Sequence, residues 1–208
     1  MKLSVGWKAS ILVFIILLLD QIFKVWIKTH MTIGQDFAVF GNWFLIHFVE
    51  NPGMAFGWEL GGDTGKLILS LFRIVAICAL IWYIRMLMRE KAPQGFILCV
   101  SLILAGAIGN MIDCAFYGIL FGESTYTEVA KFMPEGGGYA RLLYGKVVDM
   151  LSFPILHGHY PAWLPFKGGD EFLFFRPVFN IADSAVTVGV LSIILFYWGY
   201  LKRMSKSE

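Results

Sequence analysis

The chain has 208 residues, 58% hydrophobic and 15% charged, and its 17 Lys and Arg against 15 Asp and Glu leave a formal net charge of +2. Soluble domains are usually about 45–50% apolar and about 25% charged, so this composition excludes a water-soluble fold and points to lipid as the solvent. The near balance of charge, with no basic patch interleaved with aromatics, excludes nucleic acid as a partner.

Four stretches approach the roughly 20 apolar residues that a bilayer crossing requires, at about 8–28, 66–84, 95–113 and 179–200. The first follows Lys2 and Lys8 and looks at first like a secretory signal peptide. However, Leu18-Leu19-Asp20-Gln21 offers no small-x-small cleavage site and the apolar run continues through Ile27, so a retained membrane helix is predicted. Residues 29–65 then alternate apolar and polar side chains, with Val39, Phe40, Trp43, Phe44, Ile46, Phe48 and Val49 among Gly and Asn. That pattern predicts a small β element lying on the membrane surface.

The second helix is expected to end in Arg85, Arg89, Glu90, Lys91 and Pro93, and the third near Tyr117-Gly118. Residues 118–178 are rich in Gly, Pro and aromatics and hold no helix long enough to span. The fourth helix stops before Lys202-Arg203. With the N-terminus in the cytoplasm, Lys2, Lys8, Arg85, Arg89, Lys91, Lys202, Arg203 and Lys206 all fall on that side, which places both termini inside and residues 29–65 and 118–178 outside. The fold class read from this is an all-α integral membrane protein, one domain over 1–208. It comprises four transmembrane helices, a small extracytoplasmic β element and a long extracytoplasmic loop between helices 3 and 4.

The remaining chemistry-bearing residues sort quickly. Cys78, Cys99 and Cys114 form no C-x-x-C and no even pairing, so neither a zinc site nor a disulfide framework is expected. His157-Gly158-His159 has no nearby acid or cysteine to complete a tetrahedral set and reads as a loop pair. No metal or cofactor is implied.

Ionisable groups inside a bilayer are costly and mark sites. Under the topology above, Asp20 and Arg73 fall in the outer halves of the first and second helices. The third helix finishes on Asn110 and Asp113, and the fourth starts from Asn180 and Asp183. Four segments thus place polar groups at one depth, near the outer interface. Asn110 and Asp113 are three apart, as are Asn180 and Asp183, so each pair shares a helix face. Ala105 with Gly109, and Ala185 with Gly189, are small residues four apart, which predicts close packing of the third and fourth helices. Asp149, an acid among apolar residues, is expected on a short strand or interfacial turn that brings a further carboxylate to the same place. Two adjacent carboxylates share one proton and provide a base to activate water and an acid to polarise a carbonyl, which is the chemistry of metal-free peptide hydrolysis. Asp20 has a structural reading as well, as a charge partner for Arg73, and Asn51 in Asn51-Pro52-Gly53 one as a turn.

The motifs Asp20-Gln21-x-x-Lys24, Asn51-Pro52-Gly53-Met54-Ala55-Phe56-Gly57, Gly106-Ala107-Ile108-Gly109-Asn110-Met111-Ile112-Asp113, Val147-Val148-Asp149 and Phe179-Asn180-Ile181-Ala182-Asp183-Ser184 occur in this order. In that order and on that frame, the chain resembles the lipoprotein signal peptidases of bacteria (type II signal peptidases, aspartic peptidase family A8) along nearly its whole length. The resemblance implies that Asp149 and Asp183 are the catalytic dyad. It also implies that Asp20, Asn51, Gly53, Asn110, Asp113 and Asn180 bind substrate or brace the site. The implied partner is a diacylglyceryl-modified prolipoprotein, cut just before its lipidated cysteine by a monomeric enzyme in the lipid of the bacterial cytoplasmic (inner) membrane, with the site near the outer, periplasmic face.

The chain departs from the family pattern in three respects. Cys114 stands where the family usually has Arg, so Arg141 or Arg176 is expected to supply that charge if anything does. Met54 replaces a smaller residue, and the insertions 114–148 and 150–178 are long, suited to a lid or to shaping substrate choice. Two other classes remain on composition alone. A proton-coupled transporter needs polar groups on both sides of the midplane, whereas the inner halves here are almost wholly apolar. A non-catalytic scaffold predicts that Asp149 and Asp183 tolerate Asn.

Overall fold

The computed structural model describes residues 3–52, 62–154, 156–159, 171–174 and 177–204, with positions 161, 163, 165 and 169; Gly53, Met54 and Arg176 lie outside the described residues. Among the described residues, four helical spans are long and apolar enough to cross a membrane. Helix α1 runs Val5–His30, α2 Gly62–Arg89, α3 Gln94–Ile112 and, after a π-helical turn Asp113–Tyr117 and the short α4 (Gly118–Leu120), α5 runs Ile181–Met204. Each span reaches past its sequence-predicted end, to His30, Arg89, Leu120 and Met204. The 26 residues of α1 measure about 39 Å, longer than a hydrocarbon core of about 30 Å.

Half of the most apolar window of the third span is buried, against 11% or 17% in the others, so α3 is the centre of the bundle. Small residues set how closely its neighbours approach. A Cβ at Gly106 would lie 2.2 Å from the Ala182 carbonyl oxygen of α5, and one at Gly109 would lie 2.9 Å from Asp20 Oδ2 of α1. The predicted small positions Ala105, Gly109, Ala185 and Gly189 are all buried, and Gly106 makes the tightest α3–α5 approach among them and itself.

The all-α label does not hold. The expected surface hairpin is β1 (Asp36–Phe40) and β2 (Phe44–Asn51), and the long loop returns to it as β3 (Val147–Ser152), with β6 (Val178–Phe179) at the far edge. These form one antiparallel sheet in the order β1-β2-β3-β6, in which Val49 faces Asp149, Glu50 faces Val148 and Leu151 faces Phe179. A second ladder pairs β4 (Leu156–His159) with β5 (Glu171–Phe174), so His157 and His159 belong to a strand and not to a loop. The addition of β3 to the hairpin was hidden because it joins β2 from about a hundred residues further along the chain.

Under the sheet, Ile27, Met31, Phe48, Tyr117, Phe121, Val148 and Met150 make one buried apolar cluster. Ile84, Leu87, Phe96, Ile97, Val100 and Leu104 make a second at the other end of the bundle. The inserted loop is tied by backbone to the end of the third span, through Ala140 N–H to Gly118 O at 2.9 Å and Gly145 N–H to Cys114 O at 2.8 Å.

Candidate active site

Strand β3 and the start of α5 bring the two expected carboxylates to one buried locus. Asn180 is the N-cap of α5, with its Oδ1 accepting the Asp183 backbone N–H at 2.8 Å while Asp183 Oδ2 accepts the Asn180 N–H at 3.3 Å. This reciprocal cap fixes the Asp183 side chain beside Asn180. The other oxygen, Asp183 Oδ1, accepts from Asn110 Nδ2 at 2.8 Å. Asp183 therefore has a capping role as well as a place in the site.

Asp149 is 4% exposed. Its Oδ1 accepts from Asn180 Nδ2 at 2.7 Å and its Oδ2 from Asn51 Nδ2 at 3.2 Å. Burial pushes its carboxyl up to about 7 and the negative charge of Asp183 adds to that, against the opposing hydrogen bonds of Asn51 and Asn180 and the charge of Lys24. A carboxyl that holds its proton near neutrality sits beside a second carboxylate, which is the arrangement acid–base catalysis by a pair requires.

Beneath the pair lies an ionic cluster that sequence reading did not assemble. Lys24 Nζ sits 2.9 Å from Asp20 Oδ2, 2.8 Å from Asp113 Oδ2 and 3.0 Å from Asn110 Oδ1, with Asp20, Lys24 and Asp113 fully buried. Gln21 Nε2 donates to Asp113 Oδ1 at 3.0 Å, and Tyr117 Oη donates to Gln21 Oε1 at 3.1 Å. The remaining acceptors clamp neighbouring backbone. Asp20 Oδ1 takes the Ala182 N–H of α5 at 2.9 Å, and Asp113 Oδ2 takes the Val148 N–H of β3 at 3.1 Å. Each acid thus positions the segment that carries one of the paired aspartates. Asn180 Nδ2 also donates to Asn110 Oδ1 at 3.0 Å, linking this cluster to the pair above it.

Asp149, Asp183, Asp20, Asn51, Asn110, Asp113 and Asn180 therefore meet in one network. The expected Asp20–Arg73 pair does not form. Asp20 takes Lys24, which is one helical turn away on the same face, whereas Arg73 Nη1 donates to Cys114 Sγ at 2.8 Å. Arg73 thus occupies the neighbourhood of the residue that departs from the family pattern, while Arg141 lies on the surface, 3.5 Å from Asp63 and over the Tyr144 ring. Gln21 and Lys24 stand in the first motif but were given no role there. The available signal was the Asp20/Lys24 spacing of four inside an otherwise apolar helix.

A second ionic group flanks the site. Glu50 pairs with Lys28 at the end of α1, accepts from Ser124 Oγ at 3.0 Å and lies 3.1 Å from Lys146 Nζ. Ser124 and Lys146 belong to the inserted loop. Burial opposes the charge of Glu50, but Lys28 and Lys146 outweigh it and hold the carboxyl below its ordinary range.

Residues 12–199 match the family model described as Signal peptidase (SPase) II. A protein named Lipoprotein signal peptidase from Porphyromonas gingivalis is 48% identical over 197 residues, covering 94% of this chain and 85% of that one. One of the same name from Amoebophilus asiaticus is 36% identical over 192 residues, covering 91% and 77%. A solved structure titled a bacterial membrane enzyme superimposes with a TM-score of 0.58 at 27% identity, covering 97% of this chain and 92% of that one.

Proposed function

Because the chain belongs to the signal peptidase II family, we propose that it is an intramembrane aspartic endopeptidase that removes the signal peptide from diacylglyceryl-modified prolipoproteins, cutting just before the lipidated cysteine. The observation that carries this reading is the pairing of buried Asp149 with Asp183 through Asn180, which is hydrogen-bonded to both.

In this reading the pair shares one proton: Asp183 takes a proton from a water between the two as the water oxygen bonds the scissile carbonyl carbon, and Asp149 donates its proton to the carbonyl oxygen. The gem-diol collapses as one hydroxyl returns its proton to Asp149, Asp183 passes its proton to the cysteine amide nitrogen and the C–N bond breaks, which frees the new N-terminus. In the same reading Asn51, whose side chain donates to Asp149 from β2, hydrogen-bonds the extended peptide there. Gly53 shares the substrate-binding role, while Asp20, Asn110, Asp113 and Asn180 hold the frame. The protein acts as one domain over 1–208, a monomer in the bacterial inner membrane, with both termini cytoplasmic and the site at the periplasmic face.

The test is to reconstitute the protein in bilayers with one prolipoprotein in two forms, its lipobox cysteine either diacylglyceryl-modified or free. Mass spectrometry of the products should show a new N-terminus at the lipidated cysteine and none from the unmodified form. Equal cleavage of both forms, or a cut elsewhere, would contradict the assigned substrate.

A further inference from the structure

A cavity of about 630 Å³ lies between α1 and the sheet, within the range of small-molecule sites. Its lining is wholly apolar: Ile22, Phe23 and Trp26 from α1, Phe37 and Val39 from β1, Phe44 and Ile46 from β2, with Met150, Leu151 and Ile181 as floor. The rim residues Ile22, Phe23, Trp26 and Phe37 are about half exposed, whereas Ile46 and Met150 are buried, so the cavity opens where α1 meets lipid.

The sheet leads from this cavity to the paired aspartates. Phe37 faces Ile46 and Ile46 faces Leu151, which makes one cross-strand row of lining residues. Leu151 and Asp149 are two apart on β3, so they project from the same face about 7 Å from each other. On α5, Ile181 directly follows Asn180, whose side-chain amide donates to Asp149. A group held against Leu151 is therefore one strand pleat from Asp149. Among the described residues no polar side chain lines it to hold a peptide backbone, whose buried amides need partners, whereas a hydrocarbon chain needs none.

We propose that this cavity seats one acyl chain of the substrate's diacylglyceryl group and so sets the enzyme's preference for chain length. This rests on the prolipoprotein reading above. The seat lies on the α1 side of the sheet, so the lipidated cysteine enters with its chain between α1 and the β1–β2 hairpin.

Filling the cavity from its exposed rim tests this without disturbing the buried network. Ile22→Trp and Val39→Trp would be assayed against two substrates with the same peptide, one carrying long acyl chains and one carrying short ones. The expected result is a rise in KM of about tenfold for the long-chain substrate at nearly unchanged kcat, with little change for the short-chain one. Effects equal for both substrates, or absent for both, would overturn the proposal while wild-type cleavage upheld the peptidase reading. Failure of the wild type on both lipidated substrates would instead sink that reading, and this one with it. A photoreactive diazirine at the acyl terminus gives a readout apart from turnover. Adducts on Ile22, Phe23, Trp26 or Val39 support the seat. Adducts confined to α2 or α5 refute it, and so does equal labelling of the cavity by a diazirine phosphatidylcholine that the substrate does not displace.

Discussion

Glu50 and Asp149 are buried carboxylates on neighbouring strands of one sheet, yet their surroundings set them in opposite ways. Glu50 is met by two cations, Lys28 and Lys146, and stays below its ordinary range. Asp149 is met by two neutral amides and a second acid and rises to about 7. Burial penalises the charged form of both, so the partners decide the outcome. A carboxylate matched by cations works as a clasp, here tying the inserted loop to α1 and β2. One given amides and a like charge keeps a proton that it can donate. The cations near the aspartate pair are not missing; Lys24 is spent on Asp20 and Asp113, one layer below.

The largest effect that would break this contrast is expected at that lower layer. Lys24→Met leaves Asp20 and Asp113 buried without a counter-charge and should cost about 3–5 kcal/mol, enough to prevent folding, read as loss of a cooperative thermal transition in lipid. Lys24→Met that unfolds like the wild type would show the cluster to be redundant. Glu50→Gln separates the two carboxylates next. It should cost about 3 kcal/mol of stability by stranding Lys28 while kcat stays within about threefold, because Glu50 touches no reacting atom. A dead but stable Glu50→Gln would move Glu50 into the catalytic machinery.

Titration sharpens the comparison further. The folded Asp149 binds its proton more tightly than the unfolded chain does. Its contribution to stability is therefore full below about pH 4 and is lost as pH rises to about 7, by at most about 4 kcal/mol. Glu50 runs the other way, its contribution being present above the ordinary carboxyl range and lost as pH falls through its lowered value. The rate should decline as pH rises through about 7, when Asp149 gives up the proton the carbonyl needs. A rate still climbing past pH 8 would assign the acid elsewhere. The smallest effect is expected from Cys114→Ser. It keeps a polar atom facing Arg73 and should change kcat by less than about threefold, and complete loss of activity would make the thiol a participant.

Much of this arrangement was legible in the sequence because it follows from local pattern. Apolar runs gave the four spans, and spacings of three put Asn110 with Asp113 and Asn180 with Asp183 on shared faces. Alternation in 29–65 marked the hairpin. What stayed hidden depends on partners far apart in the chain. Asp20 reaches the Ala182 N–H across 162 positions, and Asp149 meets Asn51 across 98. No periodicity announces such pairings, so the short strand or turn expected around Asp149 had no partner assigned to it and the fold read as all-α. Arg73 was assigned to Asp20 on depth alone. Depth ranks every charge at that level equally, whereas the one-turn geometry of α1 favours Lys24.

The most direct test is the paired measurement of cleavage and thermal stability for Asp149→Asn and Asp183→Asn in reconstituted bilayers. Either variant should lower kcat by at least about 10³-fold on a diacylglyceryl-modified prolipoprotein, because each removes one half of the acid–base pair. Both should stay folded, since Asn keeps the size of the side chain, at the cost of one accepted hydrogen bond in each, and Asp149→Asn should lose less stability at pH 8 than at pH 5, because ionised Asp149 is a burden at the higher pH. Folded variants that cleave at more than a tenth of the wild-type rate would show that the two aspartates brace the fold and that the chemistry lies elsewhere.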